Sequence, residues 1–226
     1  RRWLTVFQIK ICGVRLKPDI DAVVQAGGDA VGLNFFPPSV RYLDPASPIT
    51  AELSTYARQC GLFRVGVFVN EPAEKIGEVI GKAGIDAVQL HGDELVSEVA
   101  LYAKLGLPLL RAIKLPAGKL TAAKIDKHVR PWVDAGCQVL LDVDAGAQHG
   151  GSGRSLDWES TRRWSEQFPA VRWVLAGGLR PQNVAEAIRV SGARSVDVAS
   201  GVESPRGQKS PALITEFCES ARSAWG

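Results

Sequence analysis

The fold turns on one stretch: Arg172-Trp173-Val174-Leu175-Ala176-Gly177-Gly178-Leu179, then Pro181–Val190, Gly192, and Ser195-Val196-Asp197-Val198-Ala199-Ser200-Gly201-Val202. It reads as strand, glycine loop, amphipathic helix, glycine stop, strand and glycine loop. The runs Arg172–Ala176 and Ser195–Ser200 are short and rich in β-branched and aliphatic residues, which favours strand over helix. Pro181 near the helix start gives up an N–H that would have no intrahelical partner, and Gly192 suits a left-handed helix end. Two consecutive strands therefore end in glycine.

Working back along the chain, six more runs read the same way: Thr5–Ile11, Ala30–Phe36, Phe63–Val69, Asp86–Leu90, Pro108–Lys114 and Gln138–Val143. Helical stretches such as Asp19–Ala26, Pro72–Ala83, Glu94–Leu105 and Trp158–Gln167 lie between them, and Pro211–Ala224 reads as a final helix. Eight strand–helix pairs with no linker point to a closed (β/α)8 TIM barrel, an α/β fold filling residues 1–226 as one domain. An open doubly wound sheet shares the local pattern, but it usually has fewer strands and often a glycine-rich turn after the first. Here the glycines gather after the sixth, seventh and eighth.

Composition narrows the function. The chain has 226 residues, 46% hydrophobic and 23% charged, enough for a large core without staples. The net charge of +3 is mild and dispersed, which argues against nucleic acid as a partner. Cys12, Cys60, Cys137 and Cys218 are scattered with no metal-ligand spacing, as expected for free thiols in a reducing compartment. No apolar run is long enough for a membrane helix, and the opening Arg1–Phe7 lacks the features of a signal peptide. With Arg1 first and no methionine, the natural start is expected to have been trimmed or left out. The expectation is a cytoplasmic protein.

In a barrel the catalytic groups sit at the carboxyl ends of the strands. Gly177-Gly178 and Ser200-Gly201 fall there, where backbone N–H groups and a short helix N-terminus can hold a phosphate; tight turns are the plainer explanation. The long loop from Val143 to Leu156, with Gly150-Gly151-Ser152-Gly153-Arg154, is placed to close over a ligand or to be a surface insertion. Asp142 ends Leu140-Leu141-Asp142, where burial favours a protonated acid, although a cap or salt bridge accounts for it equally. Cys12 ends the first strand as either an inert small hydrophobe or a thiolate base, with Lys10 on the same face. Arg41, after Pro37-Pro38, can clamp a carboxylate or form a surface ion pair. His91, in Gln89-Leu90-His91-Gly92, can bind substrate, titrate, or serve structure.

These pieces together resemble one family, the phosphoribosylanthranilate isomerases of tryptophan biosynthesis. The resemblance rests on Lys10-Ile11-Cys12-Gly13, Gly32–Pro37 with Ser39–Tyr42, Arg64–Asn70, Val88–Asp93, and Leu140–Asp142 with Gly150–Gly153 and Leu156–Trp158. It continues through Leu175–Leu179, Pro181, Asn183-Val184 and Val196–Glu203, all in order. It implies an Amadori rearrangement of N-(5-phospho-β-D-ribosyl)anthranilate, a small phosphoribosyl substrate, with no cofactor and no metal. Asp142 would be the general acid and Cys12 the general base. Arg41 would clamp the anthranilate carboxylate. Gly177, Gly178, Ser200 and Gly201, with Gly151, Ser152 and Gly153, would hold the phosphate, and His91 and Asp197 would line the site. A monomer or a homodimer is expected.

Two departures stand out: Arg15 where the family usually has threonine, and Ser210 where aspartate usually follows a lysine, a position at which serine can still cap a helix. A histidine-pathway aldose–ketose isomerase would carry aspartate at the position of Cys12. An epimerase would want metal-binding histidines, and His91, His128 and His149 form no obvious set. A non-catalytic barrel predicts loss of Cys12 or Asp142, and both are present.

Overall fold

The computed structural model describes residues 7–143 and 156–226. Eight strands form a closed parallel barrel in chain order. They are β1 (Ile9–Cys12), β2 (Ala30–Asn34), β3 (Phe63–Phe68), β4 (Ala87–Leu90), β5 (Leu109–Leu115), β6 (Gln138–Val143), β7 (Trp173–Leu175) and β8 (Val196–Val198). The helices are α1 (Lys17–Gln25), α2 (Pro48–Gln59), α3 (Ala73–Ala83), α4 (Val99–Ala103), α5 (Ala122–Asp134), α6 (Trp158–Gln167), α7 (Val184–Ser191) and α8 (Pro211–Trp225). β8 closes on β1 with Lys10 opposite Asp197. No helix among the described residues is long and apolar enough to cross a membrane.

The period of two along each strand sorts side chains into two cores. Ile9, Ile11, Val31, Leu33, Val88 and Leu90 face outward and pack under the helices. Ala30, Val65, Ala87, Leu110, Ala112, Leu140, Val174 and Ala176 fill the barrel itself. A polar layer lies above this apolar plug. On the inward parity, Lys10 and Cys12 follow on β1, Gln89 on β4, Lys114 on β5, Asp142 on β6 and Asp197 on β8.

The expected elements are present, with shifted ends. The helix expected over Glu94–Leu105 is instead a single 3-10 turn at Val96–Glu98 followed by the short α4. Glu94 explains the shortening. Its carboxylate accepts hydrogen bonds from the Asn70 and Gly92 N–H groups and pairs with Arg111, which ties residue 94 to the loop. The eighth strand stops at Val198, and Ser200–Val202 winds into a 3-10 turn. Helices α2 and α5 were not singled out in the sequence; Pro131, inside α5, reads as a breaker but falls in its last turn. Ser210 caps α8, its Oγ accepting from Leu213 N at 3.4 Å.

Candidate functional site

Cys12 and Asp142 both reach the mouth of the barrel. Cys12 sits one inward position above Lys10 on β1 and is 8% exposed. Its register partner on β2 is Gly32. A Cβ built on Gly32 would lie 2.6 Å from the Cys12 sulfur. The glycine therefore makes the space in which the thiol sits. Gly32→Ala is expected to displace the sulfur and to change the alkylation rate of Cys12 by iodoacetamide several-fold, with the fold retained by circular dichroism.

Below the thiol, Lys10 is fully buried and its Nζ donates to Asp197 Oδ1 at 2.7 Å. Asp197 thus lines the barrel as the partner of a buried ammonium. Burial pushes the Cys12 thiol above its ordinary range; Lys10, Lys209 and Arg41 pull it down, and Asp197 adds to the rise.

Asp142 leaves β6 with its side chain one quarter exposed. Oδ1 accepts from Val143 N at 2.7 Å. Burial raises its pKa to about 6; the Val143 N–H, Lys114 and Lys10 oppose the rise, and Asp197 assists it. Lys114 is its register partner on β5. Gly177 has φ +83°, and a Cβ there would fall 2.5 Å from Asp142 Oδ1. His91 Nε2 lies 3.8 Å from Asp142 Oδ2. The buried Gln89 Nε2 lies 2.9 Å from His91 Nδ1. With Gln89 donating there, a neutral His91 ring carries its proton on Nε2, the nitrogen nearer Asp142.

Arg41 comes from the loop after β2 and crosses over Gly13, whose φ is +77° and whose missing side chain makes room for the arginine. Its Nε and Nη2 donate to Glu203 Oε1 and Oε2 at 2.6 and 2.7 Å. Glu203 also accepts from Lys209 Nζ at 2.8 Å and from Gly207 N. Against its own burial, these donors hold the Glu203 carboxyl down at about 2. The alternative of a surface ion pair is thus partly realised, since Arg41 is engaged, but inside the rim.

The glycine loops after β7 and β8 meet. Gly177 and Gly178 both have positive φ, and Asn183 pins the first loop by donating to Gly178 O and accepting from Arg180 N. Gly201 packs against the Leu179 carbonyl with no room for a Cβ. Ser200 opens the 3-10 turn beside it. Gly151, Ser152 and Gly153 lie outside the described residues.

Sequence reasoning passed over Gly32, Lys114, Glu203 and Lys209 as site residues. Cys12 and Asp142 were singled out by their place at a strand's carboxyl end; the inward parity of β5 points to Lys114 as well. The register of β1 on β2 was needed for Gly32, and a contact across 162 residues for Glu203.

Residues 9–220 match the family model described as N-(5'phosphoribosyl)anthranilate (PRA) isomerase. The chain is 40% identical over 219 residues to N-(5'-phosphoribosyl)anthranilate isomerase of Ruegeria sp. (strain TM1040), covering 95% of this chain and 97% of that one. The crystal structure of phosphoribosyl anthranilate isomerase from Thermotoga maritima superposes with a TM-score of 0.82 at 33% identity, covering 96% of this chain and 100% of that one. A phosphoribosyl anthranilate isomerase in complex with reduced 1-(o-carboxyphenylamino)-1-deoxyribulose 5-phosphate superposes with a TM-score of 0.76 at 31% identity, with the same coverage.

Proposed function

Because this chain belongs to the N-(5'-phosphoribosyl)anthranilate isomerase family, we propose that its barrel mouth divides the family's reaction between Asp142 as general acid and Cys12 as general base. The protein is an isomerase of tryptophan biosynthesis. It converts N-(5-phospho-β-D-ribosyl)anthranilate to 1-(2-carboxyphenylamino)-1-deoxy-D-ribulose 5-phosphate.

In the proposed course, Asp142 gives its proton to the furanose ring oxygen. The C1′–O bond breaks as the anthranilate nitrogen lone pair forms the Schiff base. Cys12, as thiolate, takes the C2′ proton, and those electrons form the C1′–C2′ double bond of an enolamine. Protonation at C1′ and loss of the 2′-hydroxyl proton give the ketone. Hydrogen moves only as protons.

What supports this division is that two titratable side chains, from β6 and β1, reach one barrel mouth, both in the field of the buried Lys10–Asp197 pair. A carboxyl held near 6 keeps a usable protonated fraction at neutral pH. The glycine loops after β7 and β8 offer backbone N–H groups to the 5′-phosphate, and remote phosphate binding orients the reacting carbon. Gly177, Gly178, Ser200 and Gly201 take that role, with Gly151, Ser152 and Gly153 from the sixth unit. His91 lines the site next to the acid. The Nε–Nη2 edge of Arg41 is taken by Glu203, so the substrate carboxylate meets the Nη1–Nη2 edge, with Glu203 fixing the plane of the fork.

Glu203→Gln tests that arrangement. The carboxyl is held low in the fold, so its stabilisation is present above the ordinary carboxylate pKa and is lost as pH falls through about 2. The variant is expected to lose up to about 3 kcal/mol at pH 7 and to raise KM about tenfold with a smaller change in kcat. An unchanged KM would count against the clamp. Turnover tests the reading as a whole: substrate generated in situ is expected to lose its anthranilate fluorescence on addition of the protein. Folded protein without turnover would overturn the assignment.

A further inference from the structure

We propose that Lys10 is the positioning residue of the base: its buried ammonium, anchored by Asp197, is the counter-ion that lets the Cys12 sulfur carry negative charge. The proposal rests on Cys12 being the base. Lys10 has no exposed surface, and an ammonium is rarely buried so fully without a partner. Asp197 Oδ1 is one partner, at 2.7 Å. Cys12 is the next side chain along the same inward face of β1, two residues on, and it too is buried.

The two other cations near the thiol, Lys209 and Arg41, are compensated elsewhere. Lys209, before α8, donates to Ala199 O and Glu203 Oε1. Arg41, in the loop after β2, spends two nitrogens on Glu203. Asp197, on β8, opposes the thiolate. Lys10 is the charge with the largest favourable effect on the sulfur, and Asp197 sets how much of that charge reaches it. When the thiol gives up its proton, the negative charge forms beside a fixed cation and needs no rearrangement of the barrel.

Alkylation of Cys12 by iodoacetamide at pH 8, read by mass spectrometry of the Cys12 peptide, measures thiolate without substrate. Lys10→Met is expected to slow it at least tenfold, and Asp197→Asn to speed it several-fold. Opposite signs are the signature. A structural pair would loosen the barrel in both variants, exposing the thiol and speeding both. Rates that both rise, or that both stay within twofold of the parent, overturn the proposal. If Lys10→Met does not fold, the sign in Asp197→Asn decides: a rate that stays or falls overturns it. Failure of the base assignment itself is read separately, as turnover retained in Cys12→Ala.

Discussion

Asp142→Asn is expected to lose about 10³ to 10⁴ in kcat while becoming more stable at pH 8. The two effects have one origin. In the fold the carboxyl is raised from an ordinary 3.8 to about 6, chiefly by burial. Ionising it in the folded state therefore costs roughly 3 kcal/mol that the unfolded chain does not bear. The sign follows from the raised value. The cost is absent below about pH 4, grows between pH 4 and 6, and is complete above that. Asparagine keeps an oxygen for the Val143 N–H but carries no charge, so it escapes the cost and cannot donate the proton. Thermal unfolding is expected to show a gain of several degrees at pH 8 and none at pH 4. Equal stability at both pH values would mean that the acid is not held protonated by burial.

Cys12→Ala is expected to lose a comparable factor in kcat with little change in affinity for a reduced product analogue, because the residues proposed to hold the phosphate and the carboxylate lie on other loops. Alanine leaves the Lys10 ammonium facing a small void and takes no proton from C2′. A substrate deuterated at C2′ separates the step. The parent is expected to show a primary isotope effect wherever proton abstraction limits the rate, and the variant to accumulate no ketone within the lifetime of the labile substrate. A kcat within tenfold of the parent would remove Cys12 from the mechanism.

The barrel was legible because local signals agreed. Short β-branched runs, each followed by a helical stretch, recur through the chain, and the late glycines separate the closed barrel from an open sheet. What failed locally was set by tertiary partners. Glu94 reads as the start of a helix, yet its carboxylate is claimed by N–H groups of two neighbouring loops and by Arg111. Ser200 reads as the end of a strand, yet it opens a 3-10 turn. The places of Cys12 and Asp142 at the barrel mouth were legible because the carboxyl end of a strand is marked by a few adjacent residues. Gly32 was not, because its role depends on which residue of β1 lies beside it. Nor was Glu203, which meets Arg41 only once the barrel has closed. The Gly151–Gly153 segment lies outside the described residues, so its role rests on resemblance.

The division of labour is tested most directly by kcat/KM measured against pH for the parent and for Asp142→Asn. A reaction that needs protonated Asp142 and ionised Cys12 gives a level profile between the two titrations, because one form is lost as the other is gained. The parent is therefore predicted to be flat from about pH 6.5 to 8, falling on the acid side near 6 and on the alkaline side above the ordinary thiol range. In Asp142→Asn only the thiolate titrates, so the residual rate is predicted to climb about tenfold per pH unit across the same interval. Two parallel profiles would contradict the assignment of acid to Asp142 and base to Cys12.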